Sequence, residues 1–132
     1  MNDSNSMKTA SGMVADAKAR IQNLNPMQVS EALRRGATLV DIREMEERKK
    51  EGTIEAAVYA PRGMLEFYAD PTSTYHRPEF YPDKQIILHC ASGGRSALAA
   101  DMLQQMGYRN VAHLDGGFKA WKEQGQPVQT LP

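Results

Sequence analysis

Cys90 is the only cysteine in the chain, and it opens the stretch Cys90-Ala91-Ser92-Gly93-Gly94-Arg95-Ser96. A lone cysteine is most often a small buried hydrophobe. This one stands between an apolar run, Gln85–His89, and a glycine pair that leads into a helix-forming segment. A core filler has no reason to occupy that position, whereas an activated nucleophile does. Gly93 and Gly94 allow the backbone to curl through positive φ. A curled loop that feeds a helix N-terminus turns its N–H groups inward and adds the positive end of the helix dipole, which makes an anion cradle. A thiol in such a cradle is expected to favour its thiolate with no neighbouring histidine as base. Arg95 brings a permanent positive charge to the end of the loop, and Ser96 is expected to bond backbone groups in the first helical turn. Strand alternation turns His89 away from Cys90, so it reads as a structural residue.

The elements that must position this loop follow from the hydrophobic pattern. Thr38–Ile42, Ala56–Ala60, Gln85–His89 and Asn110–Leu114 are short apolar runs without alternation, as expected for strands buried on both faces of a parallel sheet. Helical patterns separate them. Asn25-Pro26 with Gln28 predicts a capped helix carrying Val29, Ala32 and Leu33 inward and stopped by Gly36. Glu44 to Glu51 reads as a charged helix with Glu44/Arg48 and Glu46/Lys50 pairs on a solvated face. Arg95 to Met106 predicts a helix with Leu98, Met102, Leu103 and Met106 inward. Strands alternating with helices define an α/β fold with a small central parallel sheet of about five strands and helices on both faces. In such a sheet the carboxyl ends of the strands share one edge, where ligands bind. That rule brings Cys90, Arg43, Arg62 and Asp115 to a common rim. Arg43 and Arg62 either steer anions there or form structural ion pairs, such as Arg43 with Asp41. Asp115-Gly116-Gly117 reads as a helix-entry turn.

Composition bounds what this site can serve. The 132 residues fit one domain, and sixteen Lys+Arg against sixteen Asp+Glu leave no net charge. There is then no global field to hold nucleic acid or an anionic membrane. No apolar run approaches the ~20 residues of a membrane span, and Met1 to Ser11 lacks the basic-then-apolar order of a signal peptide. Both points predict a cytoplasmic protein. A single cysteine excludes a disulfide scaffold and any CxxC metal site, and nothing implies a metal or a cofactor. Residues 1–24 read as a polar tail followed by an amphipathic helix over Met13–Leu24, and residues 25–132 as the domain proper. The long connection Pro61–Asp83 holds four of the seven prolines and five of the nine aromatics (Phe67, Tyr68, Tyr75, Phe80, Tyr81). Its rings either cap one side of the sheet or wall the active site.

Taken together, these motifs carry a resemblance. Cys90–Ser96 resembles the active-site loop of rhodanese-like sulfurtransferases, as do Leu39–Glu44, Gly52–Gly63 and Leu114–Trp121, with Gly125-Gln126-Pro127 closing the match. Glu55-Ala56 departs from the small pair usual at that turn. The resemblance implies a rhodanese-like fold and a sulfurtransferase. Cys90 would take the sulfane sulfur of thiosulfate or a similar small anionic donor as a persulfide, then pass it to cyanide, a thiol or a protein acceptor. The loop Ala91 to Ser96 and Arg62 would bind substrate, with Asp41 and Arg43 in support. Two rivals stand beside it. One is a rhodanese-like binding or regulatory module with limited chemistry. The other is a cysteine-dependent phosphatase or arsenate reductase, whose loops resemble this one but carry five residues between Cys and Arg where this chain has four.

Overall fold

The computed structural model describes residues 7–132. Part of the polar N-terminal tail lies outside them. In chain order the elements are α1 (Ala10–Arg20), β1 (Gln22–Leu24), α2 (Pro26–Arg34), β2 (Thr38–Asp41), α3 (Met45–Glu51), β3 (Val58–Tyr59), a 3-10 turn (Arg62–Met64), α4 (Leu65–Ala69), β4 (Ile86–His89), α5 (Gly94–Gln105), β5 (Val111–Leu114) and α6 (Gly117–Glu123). The five strands form one parallel sheet in the order β1-β5-β4-β2-β3, which places β4 at its centre. This is the α/β architecture expected. Among the described residues no helix is long and apolar enough to cross a membrane.

Strand alternation divides the core into two layers. Val40, Ile86, Leu88 and Val111 face α4 and α5, meeting Leu65, Ala69, Ala99, Ala100 and Leu103. Leu39, Ile87, Ala112 and Leu114 face α2 and α6, meeting Val29, Ala32, Phe118 and Trp121. Asn25 caps α2 as its residue types predict. Its Oδ1 accepts from Gln28 N–H at 2.8 Å, and Gln28 Oε1 accepts from Asn25 N–H at 2.8 Å.

Four expectations need correction. The N-terminal helix runs over Ala10–Arg20 and not to Leu24. Gln22–Leu24 instead pair with Ala112–Leu114 as the sheet's edge strand. Ladder bonds offered by β5 outweigh the helical spacing of Ile21 and Leu24. In α5 the buried side chains are Ser96, Ala97, Ala99, Ala100, Asp101 and Leu103, while Met106 is exposed. The helix lies between the sheet and α1, so small residues serve both contacts. Arg20 pins α1 there by donating to both carboxylate oxygens of Asp101, at 3.0 and 2.7 Å. In α3, Arg48 turns inward to Asp41 instead of pairing with Glu44 on the surface. Of the five aromatics between Pro61 and Asp83, Phe80 is buried and Tyr68 packs on the core, but Phe67, Tyr75 and Tyr81 are exposed.

Candidate active site

Cys90 follows the last residue of β4 and is only 1% exposed. Gly93 takes φ +108°, and the helix α5 begins at Gly94. Only the first glycine of the pair therefore uses the left-handed region. The turn it makes aims two amides at the sulfur. Gly93 N–H and Ser96 N–H donate to Cys90 Sγ at 3.2 and 3.3 Å. The carbonyls of Cys90 and Ala91 are drawn the other way, accepting from Phe118 N–H at 2.9 Å and Lys119 N–H at 3.0 Å in the first turn of α6. Gly117 makes that approach possible, because a Cβ there would stand 2.6 Å from Ala91 C and O. Asp115-Gly116-Gly117 is thus a helix-entry turn, and it also backs the Cys90 loop.

The arginines of the rim are engaged differently from one another. Arg95 donates from both terminal nitrogens to the two carboxylate oxygens of Glu47 on α3, each at 2.8 Å. That hydrogen bond, outweighing partial burial, holds the Glu47 carboxyl down at about 2. Arg43 is 1% exposed and forms the ion pair with Asp41, at 3.0 and 2.9 Å, while also donating to Gly52 O at 2.9 Å. Burial pushes the Asp41 carboxyl up, but its bonds from Arg43, with His89 beside it, hold it below its ordinary value. Arg62 donates to Glu66 at 2.8 Å, and it follows β3, two strands from β4. His89 is fully buried, stacks on Phe118 and has its imidazole pushed down by that burial. A cavity of about 540 Å³ adjoins the loop, lined by Ala91, Phe118, Arg43, Lys50, Lys119 and Lys122 together with acidic residues of α3 and α6.

Glu47 and His113 escape the sequence reading. Glu47 reads as one more charge on a solvated helix, and only the tertiary fold sets it against Arg95. His113 lies in the apolar run Asn110–Leu114 yet is completely buried. A histidine inside an otherwise apolar buried strand was the available signal. Its Nδ1 lies 2.8 Å from Ser96 Oγ, directly behind the sulfur. Ser96 Oγ also approaches Gly93 O at 3.4 Å, the kind of backbone bond expected of it, but the histidine contact is shorter.

A buried sulfur held by two amides at the head of a helix can carry negative charge and act as a nucleophile. Comparison with known proteins identifies the family. The family described as "Rhodanese-like domain" matches residues 25–124, and the chain belongs to that family. A sulfurtransferase of Allochromatium vinosum is 33% identical over 90 residues, covering 68% of this chain and 76% of the relative. A putative mitochondrial thiosulfate sulfurtransferase of Schizosaccharomyces pombe is 29% identical over 96 residues, covering 67% of this chain and 66% of the relative. A solved structure from Rhodopseudomonas palustris, described as a protein of unknown function and possible tyrosine phosphatase, superposes with TM-score 0.87 at 38% identity. That match covers 93% of this chain and 96% of the other.

Proposed function

We propose that the protein is a sulfurtransferase of the thiosulfate type, working through a Cys90 persulfide. Cys90 thiolate attacks the outer sulfur of the donor. The donor's S–S bond breaks, sulfite leaves with the bonding pair, and the new Cys–S–S⁻ group carries the charge. A thiophilic acceptor, cyanide or a thiol, then attacks the terminal sulfur and the Cys90 thiolate is restored. The observation that carries this reading is the convergence of Gly93 N–H and Ser96 N–H on Cys90 Sγ at 3.2 and 3.3 Å. Amides already turned toward the site stabilise the charged sulfur with no reorganisation. The neighbouring cationic side chains Lys50, Lys119 and Lys122 suit an anionic donor. Arg95 adds the charge nearest the loop, its fork shared with Glu47.

Mass spectrometry of the thiosulfate-treated protein tests the reading directly. We expect one added sulfur, about 32 Da, on the Cys90 peptide, and neither the added mass nor turnover in Cys90→Ser. Turnover by the serine variant would place the chemistry elsewhere. The similarity to a possible phosphatase makes a second assay worthwhile. Cys90-dependent hydrolysis of p-nitrophenyl phosphate without persulfide formation would favour that rival. Absence of both activities with retained binding of a partner protein would favour a docking module.

A further inference from the structure

A line of hydrogen bonds runs from the nucleophile to the edge of the sheet, and its polarity can be read from its far end. Asn23 on β1 stands opposite His113 on β5 in the strand register. Its amide nitrogen donates to two carbonyls, Lys18 O at 3.0 Å and Ile21 O at 3.3 Å. The amide oxygen therefore faces His113 Nε2, at 2.8 Å. An oxygen acceptor there requires a hydrogen on Nε2. In a neutral ring Nδ1 is then bare and can only accept. Its neighbour at 2.8 Å is Ser96 Oγ, so the serine hydroxyl hydrogen is spent on His113. Ser96 Oγ, 3.5 Å from Cys90 Sγ, turns a lone pair toward the sulfur. The ring is neutral at ordinary pH, since burial pushes His113 down to about 4.

We propose that His113, oriented by Asn23, is a positioning residue that keeps the Ser96 hydroxyl from donating to Cys90, so that backbone amides alone bond the anionic sulfur. The role rests on the sulfur-transfer reading above. A thiolate loses nucleophilicity as its charge is drawn off by further donors, roughly along the Brønsted trend that links lower basicity to slower attack. The amides of Gly93 and Ser96 bond the sulfur, and the captured hydroxyl keeps a third donor off it. Asn23 precedes the family-matched residues 25–124, so the orienting contact comes from this chain's own N-terminal segment.

Two measurements test the proposal, and neither requires sulfur transfer. Nitrogen-15 NMR of the ring in the wild-type protein should show His113 protonated at Nε2 and bare at Nδ1. The opposite tautomer would overturn the proposal without any variant. The second measurement is the rate of Cys90 alkylation by iodoacetamide on its alkaline plateau, which the single cysteine makes unambiguous. His113→Leu frees the hydroxyl to turn to the sulfur and should lower the plateau rate about threefold. In a Ser96→Ala background the same substitution should change nothing further. An unchanged rate in His113→Leu, or an equal fall with Ser96 already removed, would overturn the proposal. Failure of thiosulfate to sulfurate Cys90 while both results hold would count against the proposed reaction and leave the hydroxyl's capture standing.

Discussion

Arg95 and Glu47 stand 48 residues apart in the chain and meet in a two-pronged ion pair, both bonds at 2.8 Å. The pair ties the first turn of α5, whose Ser96 N–H donates to Cys90 Sγ, to α3 on the other side of the rim. It also places a carboxylate beside a site proposed to take an anionic donor. Glu47→Gln should therefore lower KM for thiosulfate several-fold, since it removes a repelling charge and loosens the arginine fork. Arg95→Ala should raise it. Both side chains are partly exposed, so the stability lost in Glu47→Gln should stay at about 1 kcal/mol or below. Steady-state kinetics at fixed ionic strength checks the signs, and a raised KM in Glu47→Gln would show that the carboxylate's service is to hold Arg95 in place.

Asp41 is the hub of a buried cluster rather than a substrate contact. It accepts from Arg43 at 3.0 and 2.9 Å and from Arg48 at 3.1 Å, and is itself fully buried. Removing one member of a buried ion pair leaves a desolvated charge unpaired, at a cost of about 3–5 kcal/mol. Asp41→Ala should lose that much in urea unfolding. A loss below about 1 kcal/mol would mean that the arginines find other partners or water.

These two sites mark where sequence reasoning succeeds and where it stops. The strands are legible because a parallel sheet covered on both faces demands continuous apolar runs, which Thr38–Ile42 and Gln85–His89 supply. The turn after Cys90 is legible because Gly93 is needed where φ reaches +108°. What fails depends on partners distant in sequence. Glu47 looks like any surface glutamate until α5 arrives beside it. Gln22–Leu24 continue a helical spacing but are taken as a strand by β5. On α5, Leu103 and Met102 pack inward as their spacing predicts, but a helix gripped between the sheet and α1 also buries Ala97, Ala99 and Ala100, small residues that a pattern of large apolar side chains does not mark.

Gly117 offers a test of how the loop is backed. It has φ +63°, and an added Cβ would meet Ala91 C and O at 2.6 Å and Ser92 N at 2.7 Å. These are backbone atoms of the Cys90 loop, so they can yield only by moving the loop. Gly117→Ala should lose at least tenfold in sulfur transfer, together with the ~1–2 kcal/mol that a side chain costs in the left-handed region. Gly107 is the control, with φ +108° and open space around its Cβ position. Gly107→Ala should show the backbone cost in urea unfolding and keep wild-type turnover. Equal activity losses in the two variants would mean that general destabilisation, and not loop displacement, is responsible.

The buried histidine gives the pH dependence of stability a definite sign. Burial holds His113 at about 4 in the folded chain, against about 6.5 in the unfolded one. Between those values the unfolded chain binds a proton that the folded chain refuses. Stability must then fall as pH drops from about 6.5 to about 4, by roughly 3 kcal/mol over the whole window, and level off below it. The charges facing the ring do not reverse this. Asp115 lies 3.8 Å from Nε2 and favours protonation, but it is itself paired with Lys18 at 3.1 Å. His89, also pushed down by burial, contributes with the same sign. Glu47 acts in a separate range, because its carboxyl is held at about 2. Its contribution is complete above about 4.5 and is lost only as pH falls toward 2. Urea midpoints measured from pH 7 to pH 4 should therefore decline steadily in the wild type and less steeply in His113→Asn, which has no proton to take up. Equal slopes in the two proteins would show that the folded state lets His113 protonate as freely as the unfolded chain does.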